Sequence, residues 1–118
     1  MGNKHVGEYP AGWTKEYRVA FRKARGNRCE RCQHPDDAAH GYALTIHHLD
    51  CDKANCEEWN LAALCQRCHL KIQGKVNMFQ DFMLSHSPWM QPHVDGRNKA
   101  MAEGRWPAPQ APQLETPR

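Results

Sequence analysis

Residues 59–73 read WNLAALCQRCHLKIQ, and the reading of the whole chain turns on them. Leu61 to Leu64 form an apolar run short enough for a strand. It leads straight into Cys65-Gln66-Arg67-Cys68, and then into Leu70 and Ile72, whose spacing predicts a helix. A second C-x-x-C unit, Cys29-Glu30-Arg31-Cys32, lies upstream. Between the two units, Tyr42–His48 (YALTIHH) has the β-branched and apolar content of a short strand and is ended by the turn-prone, acidic LDCDKANCEE. The predicted order is helix, knuckle, strand, loop, strand, knuckle, helix, an α+β arrangement.

Upstream, TKEYRVAFRKA sets Tyr17, Val19, Ala20, Phe21 and Ala24 at near-helical spacing. Thr14 is suited to cap that helix and Gly26 to stop it. Downstream, CQRCHLKIQGKVNMFQDFML is helical in character with a weak point at Gly74, since glycine costs helix about 1 kcal/mol relative to alanine. After Pro88 the periodicity fails, and the last fifteen residues, from Gly104, hold four prolines. Residues 1–8 are therefore read as a flexible N-terminus, 9–95 as one domain and 96–118 as a Pro-rich mobile tail.

With 118 residues the chain is long enough for one small domain and no more. No stretch approaches the roughly 18 apolar residues of a membrane helix, and the opening MGNKHVGEYP lacks the apolar run of an export signal. A cytoplasmic, non-membrane protein is expected. Charge is uneven. Residues 1–31 carry eight Lys/Arg against three Asp/Glu, residues 32–64 one against six, and residues 65–118 seven against four. Basic flanks suit a polyanion and an acidic centre suits a cation.

Six cysteines in a reducing compartment favour metal ligation over disulfides. Each C-x-x-C turns two thiolates toward one ion, and Cys29, Cys32, Cys65 and Cys68 together complete a closed tetrahedral shell for a structural zinc ion. Cys51 and Cys56 flank a polar loop and read as inert thiols. Cys65-Gln66-Arg67-Cys68-His69 also spells the c-type haem attachment signature, but the missing export signal and the twin cysteine pair argue against haem.

His47 and His48 end the first strand, where successive side chains leave on opposite faces, so they would do different jobs. Asn60 lies in the intervening loop and His69 opens the last helix. Two imidazoles on one cation leave coordination positions for phosphate oxygen and water, and a further imidazole near neutral pKa can take a proton from attacking water.

The run TIHHLD, then WNLAALCQRCHLKIQ, preceded by CERC, resembles the HNH nuclease family with its ββα-metal core, in the branch braced by two zinc knuckles. The family's three defining positions match His48, Asn60 and His69, and the likeness covers about residues 29–77. YPAGW near the start and HSPWMQPHVDG near the end look like the flanks of small phage and prophage members. The resemblance implies that His48 is the general base and that His47 and His69 ligate a catalytic divalent cation. It implies that Asn60 holds the loop and the base in place. The implied reaction is single-metal hydrolysis of DNA phosphodiester bonds, leaving 5′-phosphate and 3′-hydroxyl ends, by nicking or double-strand cutting.

Two departures from the family pattern matter. His47 stands where the family often has Asp, which softens the site and widens the candidate ions from Mg2+ to Mn2+, Ni2+, Co2+ or Zn2+. Gln73 stands where some relatives place a further ligand, and it is a poor one. Double-stranded DNA is the expected partner, contacted at its phosphates by Arg22, Lys23, Arg28, Arg67 and Lys71, with further cations at Lys15, Arg18, Arg25, Arg31 and Lys75. Low sequence specificity follows, because nothing resembles an element that reads base edges. If the phage likeness holds, a terminase or other phage protein is a further partner. Trp13, Trp59 and Trp89 read as packing residues, and Trp106, in the tail, as an anchor for a partner. The rival reading is a non-catalytic, zinc-stabilised module that binds nucleic acid, with the histidines as bystanders.

Overall fold

The computed structural model describes residues 8–72 and 78–106. Most of the predicted N-terminal segment, Gln73, Gly74, Lys75 and the proline-rich stretch from 107 onward lie outside the described residues. Helix α1 spans Lys15–Ala24 and starts where its cap predicts: the Thr14 hydroxyl accepts the Tyr17 N–H at 3.1 Å. It ends in a Schellman turn, with Asn27 N–H donating to Arg22 O and Gly26 N–H to Lys23 O, both at 2.9 Å, and Gly26 at φ 78°. Only Phe21 of this helix is buried; Arg18 and Arg22 are half-buried, and Lys15 and Lys23 are exposed.

Strands β1 (Leu44–His48) and β2 (Leu61–Cys65) pair antiparallel, from Leu44 opposite Cys65 to His48 opposite Leu61. Every residue of β2 is buried, which is why it reads as an unbroken apolar run rather than an alternating one. Helix α2 (Gln66–Ile72) follows β2 without a linker, so the centre of the chain runs strand, strand, helix. The two-stranded sheet and helices make the fold α+β, as the sequence predicts.

The carboxylate of Glu30, inside the first knuckle, ties these pieces together. It accepts the Ala63 N–H of β2 at 2.7 Å, pairs with Arg25 at the end of α1, and meets His93 Nε2 at 2.6 Å. The backbone N–H of Glu30 donates to Ala63 O at 2.8 Å. Burial works to raise the Glu30 carboxyl, but the His93 contact, the Ala63 N–H and the positive charge of Arg25 prevail and hold it below the usual carboxylate range.

Beyond α2 the structure differs from the sequence-based expectation. The stretch after Cys68 is not helical throughout: beyond the described part of α2, a 3-10 turn covers Met78–Gln80 and a short α3 spans Phe82–Ser85. Helix α4 (Gln91–Ala102) then occupies a region without apolar periodicity, and the packed structure continues past residue 95. The reason is visible in what α4 buries. His93, Gly96 and Ala100 form its inward stripe, a polar, an absent and a minimal side chain, so no apolar repeat marks the helix. Trp106 is not held out for a partner. Its ring packs edge-on to Trp59 at 5.7 Å and its Nε1–H donates to Asp50 Oδ2 at 3.0 Å. No helix among the described residues is long and apolar enough to cross a membrane.

Gly96 gives the sharpest test of this packing. A Cβ built there would lie 2.3 Å from Trp59 Cβ and 3.0 Å from its Cγ, atoms that cannot swing aside. Gly96→Ala would gain about 1 kcal/mol of helix propensity and lose more to the overlap. The expected outcome in urea denaturation is a net loss of about 1–2 kcal/mol; equal or greater stability would show that α4 does not sit against Trp59.

Candidate functional site

The four cysteines of the two knuckles converge. Their Sγ atoms all lie within 4.8 Å of one another, and Cys32 and Cys65, from different knuckles, are 3.8 Å apart. Zinc–sulfur bonds of about 2.3 Å in a tetrahedron put sulfurs roughly 3.8 Å apart, so the donor set fits zinc in spacing as well as in kind. Within each knuckle the fourth residue's N–H points back at the first sulfur, Cys32 N to Cys29 Sγ and Cys68 N to Cys65 Sγ, both 3.4 Å. Arg31 approaches Cys68 Sγ at 3.5 Å.

The thiols split in acidity. Burial acts to raise Cys29, yet the backbone N–H groups of Cys32, Cys65 and Arg31 outweigh it and lower that thiol to about 7. Cys68 is pushed up to about 12, by burial first and then by its neighbours Cys29 and Cys32, with Arg31 opposing; burial likewise raises Cys32. Four mutually close sulfurs cannot all ionise unless a cation shares the site, which is the condition that zinc meets. All four ligands would be protein sulfurs, so such a centre braces the fold and leaves no position for a substrate.

On the adjoining face of the hairpin, His47 of β1 and His69 of α2 stand with ring centroids 4.7 Å apart and planes at 66°. Thr45 orients His69. Its hydroxyl donates to Leu64 O at 2.7 Å, and the same oxygen is 3.2 Å from His69 Nδ1. With its one proton given to a carbonyl, that oxygen accepts from Nδ1–H, and the resulting tautomer presents its lone pair on Nε2. The structure thus brings together the two residues that the sequence analysis expects to hold a divalent cation. Among the described residues, however, the cysteine cluster is the only group of three or more ligands that converge.

His48 belongs to another environment, as strand alternation requires. It is 3% exposed, with the Trp13 ring at 4.9 Å, the Tyr9 ring at 5.7 Å and Cys56 Sγ 3.5 Å from its Nε2. No sequence signal pairs Cys56 with this histidine. Burial, then Asp52 and Asp50, raise the Cys56 thiol above its ordinary value.

Asn60 is fully buried and its amide is spent on the loop between the strands. Oδ1 accepts Asp50 N–H at 3.0 Å, and Nδ2 donates to Asp50 Oδ1 at 2.8 Å and Asn55 O at 2.9 Å. Asp50 completes this lattice, taking the Asp52 N–H at 2.9 Å and the Asn55 Nδ2 at 2.9 Å. Asn60 thus holds the loop between the strands. Sequence reasoning does not find the Asp50 lattice or the Glu30–His93 pair, since nothing in a linear sequence joins Glu30 to a histidine 63 residues away.

The predicted DNA contacts are carried by different elements. Arg22 and Lys23 lie on α1. Arg67 and Lys71 lie on α2, where Arg67 covers the Tyr42 ring at 4.3 Å and donates to His40 O at 2.9 Å. Arg28 donates to Gln33 O at 3.0 Å. Comparison of the chain with protein-family models, curated proteins and solved structures finds no match.

The centre makes its own prediction. Protein purified without added metal is expected to carry about one zinc per chain by elemental analysis. Cys29→Ser with Cys65→Ser should abolish both the metal and the cooperative unfolding transition. A double variant that unfolds cooperatively at the parent temperature would show that the thiols do not share a structural ion.

Proposed function

We propose that this chain is a metal-dependent endonuclease of the HNH type, hydrolysing DNA phosphodiester bonds with low sequence specificity. The observation that carries the reading is the approach of the His47 and His69 rings, from a strand end and a helix start, with His69 held by Thr45 in the tautomer that ligation needs. The zinc knuckles, the run of strand, strand and helix, and the placing of Asn60 support it.

In this reading His47 and His69 hold a divalent cation, and His48 accepts on its imidazole the proton of the water that attacks phosphorus. The P–O3′ bond breaks as the new P–O bond forms, leaving a 5′-phosphate, while the departing 3′ oxygen takes a proton from solvent. When bound, the cation supplies charge stabilisation on the phosphoryl and leaving oxygens. Asn60, through Asp50 and Asn55, keeps the loop and the strand end that carries His48 in register. Trp13 and Tyr9 wall His48, which restricts the water that reaches it. Imidazole in place of carboxylate at position 47 favours Mn2+, Ni2+, Co2+ or Zn2+ over Mg2+.

The same burial of His48 is what favours the rival, a non-catalytic zinc module that binds nucleic acid with the histidine as a packing residue. Incubation of supercoiled plasmid with the protein and a panel of divalent ions decides between them. His48→Ala is expected to lower nicking about 10²–10⁴-fold, the range for loss of a general base, and His69→Ala to abolish the response to the added ion. Absence of nicking with every ion, or equal nicking by parent and His48→Ala, would establish the binding module instead.

A further inference from the structure

A groove of about 510 Å³ lies between α1 and β1, lined by Tyr9, Trp13, Arg18, Arg22 and the Leu44–Ile46 stretch of the strand. Arg25, the next arginine along the helix, is committed to Glu30 and to two backbone carbonyls. Arg18 and Arg22 are half-buried and, among the described residues, neither is paired with a carboxylate. They are one helical turn apart, about 6 Å along α1, so they offer two guanidinium groups in line down one wall. The strand contributes Leu44 and Ile46, and the closing wall is the parallel stack of Tyr9 on Trp13, with centroids 5.3 Å apart.

Two paired cations, an apolar strand and an aromatic wall are the components of a site for a nucleotide: phosphates for the arginines, a base for the rest. The volume falls within the range of about 300–1,000 Å³ that ligand sites occupy. A base stacked within a duplex exposes only its edges, so it cannot enter such a groove without leaving the stack. An unpaired base enters at the least cost. The groove also touches both parts of the histidine cluster. Trp13 packs against His48, and Thr45 lines the groove and contacts His69.

We propose that the groove between α1 and β1 binds an unpaired stretch of DNA, with Arg18 and Arg22 on successive phosphates and a base against Leu44, Ile46 and Trp13. The inference rests on the nucleic-acid reading above and sharpens it: the favoured substrate has a single-stranded segment beside the scissile phosphate.

The test measures binding separately from cleavage. Zinc-loaded full-length protein, with no other divalent ion added, is titrated against a fluorescein-labelled single-stranded oligonucleotide and a blunt duplex of the same sequence. The single strand is expected to bind at least tenfold more tightly. Arg18→Ala with Arg22→Ala should weaken it at least tenfold and reduce the log–log salt slope by about 1.4, at about 0.7 for each phosphate left without its arginine. Ile46→Glu, in protein shown to unfold cooperatively, should weaken it similarly, while Lys99→Ala on α4 controls for the loss of charge alone. Equal binding of duplex and single strand, a double variant within twofold of the parent, or an equal loss with Lys99→Ala would each overturn the proposal. Plasmid nicking run in parallel keeps the readings apart. Groove-dependent single-strand binding without nicking would remove the enzyme and keep the groove; nicking that ignores the arginines would do the reverse.

Discussion

Four sulfurs from two knuckles 33 residues apart are crowded within one ligand sphere, and the electrostatics of that crowding governs the rest of the molecule. Cys29 ionises readily because backbone N–H groups surround it, and its charge then adds to the burial that already makes Cys68 hard to ionise. A divalent ion shared by the four sulfurs would relieve that repulsion and join the two knuckles in one corner. The consequence is geometric. Cys65 ends β2 and Cys68 sits in the first turn of α2, so clamping the second knuckle also fixes the angle at which α2 leaves the sheet, and with it the position of His69 beside His47.

Glu30 extends that corner into the body of the protein. A carboxylate placed between two zinc ligands would be expected to weaken a thiolate site, yet it is turned away, onto Ala63, Arg25 and His93. Its negative charge is matched by Arg25, and its oxygens satisfy the N–H of a fully buried strand residue and the ring of a buried histidine. One side chain thereby joins the first knuckle to α1, β2 and α4. Half-buried charge of this kind is worth keeping only when every partner is present, which makes the network a device for specifying one arrangement as much as for stabilising it.

Strand β1 divides the chemistry between two faces. His47 and Thr45 meet α2, while His48 meets Trp13, Tyr9 and Cys56. The Asp50–Asn60 lattice holds the loop that separates the strands, and Trp106 closes over it from the far end of the described chain. The two faces come closest at the strand end, where the two histidines are adjacent in sequence. The groove beside α1 opens along that same strand.

Much of this was legible in the sequence because it is carried by local signals. Thr14 and Gly26 mark the limits of α1, the two C-x-x-C spacings announce a shared ion, and the unbroken apolar run at Leu61–Leu64 locates the buried strand. Each depends only on neighbouring residues. What tertiary structure alone decided is whatever depends on a distant surface. Helix α4 left no periodic trace because its inward stripe, His93, Gly96 and Ala100, is shaped to the indole of Trp59 rather than to an oily core. Trp106, set among prolines, finds Asp50, and Cys56 finds His48. A sequence displays the charge, size and spacing of side chains along the chain; it does not display which of them end up facing each other, and complementarity between remote surfaces is what assigned these residues their places.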